Sequence, residues 1–265
     1  MSIDFKTIRA VILDMDGVLW RGGEVLPRVA EFFAFVQQQG IAFALATNNS
    51  TKTIDTYVER LNHIGIPAGP DQVVTSSVAT AAYLGQRYPA GTPVYIVGQD
   101  GIREELAQRG FVDDAERADV VVVGLDFHIT YEKLRTATLC IRRGADFIGT
   151  NGDRTFPVPE GLVPGAGSLL AALEAATDIT PKVIGKPETA MFDVALERMG
   201  AAREFTLMIG DRLETDILGG QRAGLRTALV LTGITTADQA RTHDIQADAV
   251  FESLADLYAQ WEANL

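Results

Sequence analysis

Val11-Ile12-Leu13-Asp14-Met15-Asp16-Gly17 is the stretch on which the fold turns. Three consecutive apolar residues, two of them β-branched, read as a strand buried on both faces. The strand stops at two carboxylates and a glycine. The same grammar recurs twice. A strand over 41–46 ends at Thr47-Asn48-Asn49-Ser50, and one over 205–209 ends at Gly210-Asp211, with Asp216 five residues on.

Helical patterns fill the spaces between strands. Over 27–39, Val29, Phe32, Phe33 and Val36 share one face and Gly40 is the stop. Further helices are expected over 53–64, 77–88, 101–108, 130–143, 168–177, 187–199, 215–222 and 253–261. Pro187 opens one of them and Gly200 closes it. Further strands are expected over 73–75, 93–97, 119–123, 146–149, 183–184 and 227–231. The stretch 151–167 has several Gly and Pro and no period, so it reads as a loop. Strand–helix alternation of this kind implies an α/β fold, with a parallel sheet between layers of helices. The middle of the chain has its own strands and helices. It reads as an insertion over 80–180 into a core made from 1–79 and 181–265.

The chain has 265 residues, 47% hydrophobic and 22% charged, enough for a sizeable core and too apolar for global disorder. Its net charge of −12 repels polyphosphate backbones, so nucleic acid is not an expected partner. An anionic substrate would need a local cation or backbone N–H groups. The single cysteine, Cys140, excludes an intramolecular disulfide and reads as a buried small residue in a cytoplasmic protein. No run of 18 apolar residues occurs and no secretory signal is seen, so no membrane partner is expected.

Ligands of open parallel sheets bind beyond the carboxyl ends of the strands, where residues distant in sequence can converge. Asp14 and Asp16, one residue apart, would point the same way on an extended strand and repel. Gly17 offers a turn that lets them diverge. With Asp211 and Asp216 they form a hard oxygen-ligand set suited to Mg²⁺. Thr47, Asn48 and Asn49 precede a helix, and their hydroxyl and backbone N–H groups would serve either a phosphate or an ordinary cap. Lys186, in Ile184-Gly185-Lys186-Pro187, is either a phosphoryl-neutralising cation or a surface lysine before a helix. His63, His128 and His243 share no ligand spacing. Gly165-Ala166-Gly167 reads as a turn returning to the core, and Trp20 either lines a pocket or packs.

In this order the motifs resemble the haloacid dehalogenase superfamily of phosphatases over essentially the whole chain: Asp-x-Asp-Gly, Thr-Asn, Gly-Lys-Pro, then Gly-Asp with a further Asp. The long insertion between Asn49 and Lys186 resembles the C2-type cap of the NagD and p-nitrophenyl phosphatase-like subfamily, as does Thr150-Asn151-Gly152-Asp153. The resemblance implies a Rossmann-like core with an inserted α/β cap. It implies a Mg²⁺-dependent phosphatase of small phosphorylated metabolites: sugar, glycerol, glycolate or nucleotide phosphates.

Asp14 would be the nucleophile and Asp16 the general acid, then base. Asp14, the Asp16 carbonyl and Asp211 would hold the metal, with Asp216 outside them holding a metal water or orienting Lys186. Thr47, Asn48, Asn49 and Lys186 would bind the phosphoryl group. Arg154 either reaches a carboxylate or second anion of the substrate, or is a solvated loop residue. It stands where pyridoxal phosphate phosphatases resemble one another in having His, which counts against that substrate. Phosphomutase and dehalogenase chemistry on the same core, or a receiver-like phosphoaspartate module, are the alternatives. The resemblance admits a cap-mediated homodimer, which no sequence feature here demonstrates.

Overall fold

The opening motif's strand, Ala10–Leu13, is an inner strand of a six-stranded sheet in the computed structural model, which describes residues 3–158 and 160–264. All four of its residues are inaccessible to solvent, as a strand covered on both faces requires. Across the sheet the strands run Ala249–Phe251, Arg226–Val230, Thr206–Gly210, Ala10–Leu13, Ala42–Thr47, Val73–Thr75. Ile12 pairs in parallel with Met208 on one side and Ala44 on the other. Counted along the chain, this is the Rossmann order, and it reverses direction between Ala10–Leu13 and Thr206–Gly210. Ligand crevices of doubly wound sheets lie at such a switch point. Helix Val29–Gln38 buries Val29, Phe32, Phe33, Phe35 and Val36, and the Phe5 ring stacks on Trp261 at 4.8 Å.

The chain divides into two units. One takes the described residues up to Thr47, Tyr57–Val74 and those from Pro187 on; the other takes Asn48–Thr56 and Thr75–Lys186. Boundaries at 79/80 and 180/181 would fall inside the second unit. The excursion Asn48–Thr56 has no signal in the sequence pattern. The second unit carries a five-stranded parallel sheet in the order Lys182–Val183, Asp146–Gly149, Val120–Val123, Pro93–Val97, Val112–Asp113. Its core includes Val121, Val123, Ile141, Phe147, Leu170 and Leu173, with Cys140 among them as a buried free thiol.

Several elements differ from the sequence reading. The stretch 151–167 is not a loop. It holds an antiparallel hairpin, Thr155–Val158 with Gly161–Pro164. Its strands are only four residues long and mostly exposed, so the short alternation over Thr155–Val158 carries little signal, and its prolines sit in a two-stranded ribbon. Gly165-Ala166-Gly167 starts helix Ala166–Thr177 within the second unit rather than returning to the core. A Cβ on Gly165 or Gly167 would strike the Asp153 or Gly152 carbonyl, which accounts for both glycines. The helix expected from Pro187 begins at Ala190, and the turn after Asp211 is a π-type turn, Leu213–Ile217, before helix Leu218–Arg222. Short elements at Trp20–Arg21 with Glu24–Val25, Val112–Asp113, Ala237–Thr242 and Ala249–Phe251 escaped the pattern. Among the described residues, no helix is long and apolar enough to cross a membrane.

Candidate active site

Asp14 follows the strand Ala10–Leu13, and its N–H donates to the Ile209 carbonyl at 2.9 Å, extending the ladder one step. Asp211 follows the neighbouring strand, Thr206–Gly210. Its Oδ2 accepts from the Ile234 N–H at 2.7 Å, and its carbonyl accepts from the Thr235 N–H at 3.1 Å. Asp216 comes back from the π-type turn, and its Oδ2 accepts from the Asp211 and Arg212 N–H groups at 3.2 and 3.0 Å. One carboxylate oxygen from each of Asp14, Asp211 and Asp216 lies within 4.8 Å of the other two, and all three residues are buried.

Glycines make room for this trio. A Cβ on Gly17 would lie 2.7 Å from the Asp211 carboxylate, one on Gly233 would fall inside it, and one on Gly210 would overlap Asp216. Gly17 also has φ +84°, a left-handed turn in which other residues are strained. Three ionised carboxylates at this spacing repel by about 3–4 kcal/mol per pair at an effective dielectric near 20. A hard cation offsets that repulsion, and the all-oxygen donor set suits Mg²⁺ better than a soft metal.

Asp16 diverges from Asp14, as Gly17 allows. It is exposed, its Oδ1 accepts from Trp20 Nε1 at 2.8 Å, and its carboxylate is not a member of the trio. Thr47 is buried at the end of Ala42–Thr47, and the Tyr57 phenol is buried with no hydrogen-bond partner among the described residues. Burial first, then the Asp16 charge, pushes that phenol well above its ordinary pKa and keeps it protonated.

The second unit gathers another group of the expected residues. The Asn48 side chain clasps the Lys186 backbone: Nδ2 donates to its carbonyl at 3.0 Å and Oδ1 accepts its N–H at 2.8 Å. Nδ2 also reaches Asp153 Oδ2 at 3.2 Å, while Asn151 Nδ2 and Ser76 Oγ donate to the Asn48 carbonyl at 2.8 and 2.6 Å. Gly185 must be glycine here, because a Cβ would lie 2.6 Å from the Thr150 carbonyl and 2.7 Å from Asn48 Oδ1. The Lys186 side chain is buried.

Asn49 Oδ1 accepts from Thr51 N–H and Oγ1 at 2.9 and 2.7 Å, forming a local turn. The helix after these residues spans Ile54–His63, and Thr53 Oγ1 accepts the Thr56 N–H at 3.4 Å. An ordinary cap, the alternative reading of Thr47, Asn48 and Asn49, therefore belongs to Thr53. Arg154 is exposed, and its carbonyl accepts from Gly165 N–H and Ser168 Oγ at 2.8 and 2.7 Å.

Sequence reasoning missed Tyr57 and Arg60, whose i, i+3 spacing on one helix was the available signal. It also missed the 233–235 turn that holds Asp211, which carries no signal of its own.

A family model described as haloacid dehalogenase-like hydrolase matches residues 11–112, and one described as HAD-hydrolase-like matches 183–257. The chain belongs to the haloacid dehalogenase-like hydrolases. An acid sugar phosphatase of Staphylococcus saprophyticus is 38% identical over 97% of this chain and 99% of its own length. The 5'-nucleotidase YutF of Bacillus subtilis is 40% identical over 87% of this chain and 90% of its own. Among solved structures, the 4-nitrophenylphosphatase of Thermotoga maritima superposes with a TM-score of 0.93 at 36% identity, covering 97% of this chain and 99% of that one. NagD of E. coli K-12 superposes with a TM-score of 0.87 at 32% identity, covering 94% and 98%. Within the haloacid dehalogenase-like hydrolases, this chain stands with the NagD and p-nitrophenyl phosphatase-like group.

Proposed function

We propose that this phosphoric monoester hydrolase uses Mg²⁺ to cleave small sugar or nucleoside phosphates through an aspartyl-phosphate on Asp14. The observation that carries the reading is the buried trio of Asp14, Asp211 and Asp216, with oxygens within 4.8 Å at the sheet's switch point. Mg²⁺ fits these residues: the donors are hard oxygens and the glycine cradle leaves them space. When bound to Asp14, Asp211 and the Asp16 carbonyl, it supplies charge neutralisation for an anionic nucleophile meeting an anionic substrate. Asp216, whose Oδ2 accepts the Asp211 and Arg212 N–H groups, is assigned to supporting Asp211 rather than to binding the metal directly.

In the first half-reaction an Asp14 carboxylate oxygen bonds to phosphorus as the phosphorus–oxygen bond to the leaving alcohol breaks. Asp16 gives the alcohol its proton. In the second, Asp16 takes a proton from water, the water oxygen attacks phosphorus, and the acyl phosphate splits to inorganic phosphate and free Asp14. Lys186, Thr47 and the N–H groups of Asn48 and Asn49 are assigned to the phosphoryl oxygens, and the Asn48 side chain to holding the Lys186 backbone. Such fixed donors act mainly by stabilising transferring charge.

The relatives named for acid sugar phosphates and for 5'-nucleotides support those two substrate classes. Arg154 is assigned to a second anionic group of the substrate. A cytoplasmic location suits the single buried thiol. Phosphate release from a panel of sugar, glycerol, glycolate and nucleoside monophosphates, with and without a chelator, tests the reading. Turnover fastest on sugar or nucleoside esters and lost on chelation is expected. Chelator-insensitive turnover contradicts the metal.

A further inference from the structure

Trp20 is wholly buried, yet its single polar atom is not left among apolar neighbours: Nε1 donates to the exposed Asp16 at 2.8 Å. The loop between them is wound tightly. The Met15 carbonyl accepts from the N–H groups of Leu19 at 2.8 Å, Val18 at 3.3 Å and Trp20 at 3.4 Å, and Gly17 N–H donates to the Trp20 carbonyl at 2.8 Å. Thr232 Oγ1 ties the Gly17 carbonyl from outside at 2.5 Å. The indole is therefore a rigid donor on a rigid loop.

Behind it stands a cation. The Arg60 guanidinium lies 3.7 Å from the Trp20 ring centroid, and its Nη2 donates to the Gly22 carbonyl at 3.0 Å, pinning the hairpin that carries the ring. A cation on the π face draws density from the ring and strengthens the indole N–H as a donor.

We propose that Trp20 is a positioning residue that aims the Asp16 carboxylate for proton transfer, with Arg60 as its electrostatic backing. The inference rests on the reading of Asp16 as the acid that protonates the leaving alcohol. An exposed aspartate samples several rotamers, and one oxygen tied to a fixed donor leaves the other directed. Proton transfer depends steeply on such alignment. A tryptophan that merely packed would need its ring but not its N–H.

The test is the dependence on leaving group, read from kcat/KM, which reports the step up to loss of the alcohol. An alkyl phosphate substrate needs the proton; p-nitrophenyl phosphate expels a stable phenolate without it. Trp20→Phe keeps a ring under Arg60 and deletes the donor. It is expected to lose about 10–100-fold on the alkyl ester and less than about threefold on the nitrophenyl ester, with Asp16→Asn showing the same pattern more strongly. Equal losses on both esters in Trp20→Phe, beside a leaving-group-dependent loss in Asp16→Asn, would make Trp20 a packing residue and overturn the proposal. Equal losses in Asp16→Asn itself would instead remove the acid role of Asp16, and the positioning role with it. Arg60→Met leaves the indole in place and serves if Trp20→Phe fails to fold. The same selectivity at about 2–5-fold supports the proposal, and no selectivity overturns it.

Discussion

The side-chain amide of Asn48 holds the backbone of Lys186 at both its polar groups, accepting the N–H at 2.8 Å and donating to the carbonyl at 3.0 Å. The two residues are 138 positions apart, and all three groups are buried. An asparagine is the right residue because its amide is donor and acceptor at once. Asn48→Ala removes two buried hydrogen bonds to the Lys186 backbone, at about 1–3 kcal/mol each. A loss of about 2–6 kcal/mol in urea unfolding is expected, with a rise in KM for phosphate esters as the Lys186 backbone loses its clasp. Unchanged stability in Asn48→Ala would show that the clasp does not hold.

Gly233 lies against Asp211, and a Cβ there would occupy the carboxylate's place. Gly233→Ala should therefore displace Asp211 while leaving Asp14 and Asp16 intact. The expected signature is a rise of about tenfold or more in the Mg²⁺ concentration giving half-maximal activity, with a smaller change in KM. An unaltered Mg²⁺ requirement contradicts the placement of Asp211 among the ligands.

Mg²⁺ should also raise the melting temperature of the protein, because a ligand bound only by the folded state stabilises by mass action. The rise should be absent in Asp211→Asn, whose metal-free form should be no less stable than wild type because one of three mutually repelling charges is gone. Differential scanning calorimetry with and without Mg²⁺ reads both effects without any turnover. An equal Mg²⁺-induced shift in wild type and Asp211→Asn contradicts the site.

Tyr88 donates to the Asp146 carboxylate, and its phenol is pushed up to about 12, by burial first and then by Asp146. The folded state thus holds this proton more tightly than the unfolded chain. Its contribution is complete below pH ~10 and lost as pH climbs through the raised value near 12. Denaturation midpoints across pH 10–12 should fall more steeply in wild type than in Tyr88→Phe. Parallel curves would contradict the assignment.

Much of the first unit was legible because its strands are short buried apolar runs that end in polar residues. Asp14 and Asp211 could be paired from sequence because a doubly wound sheet brings successive strand ends to one edge, and the switch point does the rest. The hairpin Thr155–Val158 with Gly161–Pro164 was not legible, because two four-residue strands with no fully buried residue leave too short an alternation to read. Nor was the Asn48 clasp. Thr-Asn reads as a phosphate cradle or a cap in sequence, and only the return of the chain at Gly185-Lys186 gives the amide its partner. Trp20 was ambiguous for a similar reason: an indole on a strand end packs in either case, and its N–H partner is a matter of turn geometry.

The covalent step at Asp14 is tested most directly by acid-quenching the enzyme during turnover of ³²P-labelled substrate and mapping the label by peptide mass analysis. Label on the peptide containing Asp14, absent from Asp14→Asn and cleared when unlabelled substrate is added, is the predicted result. Steady phosphate release with no label on Asp14, or continued turnover by a folded Asp14→Asn enzyme, would contradict it.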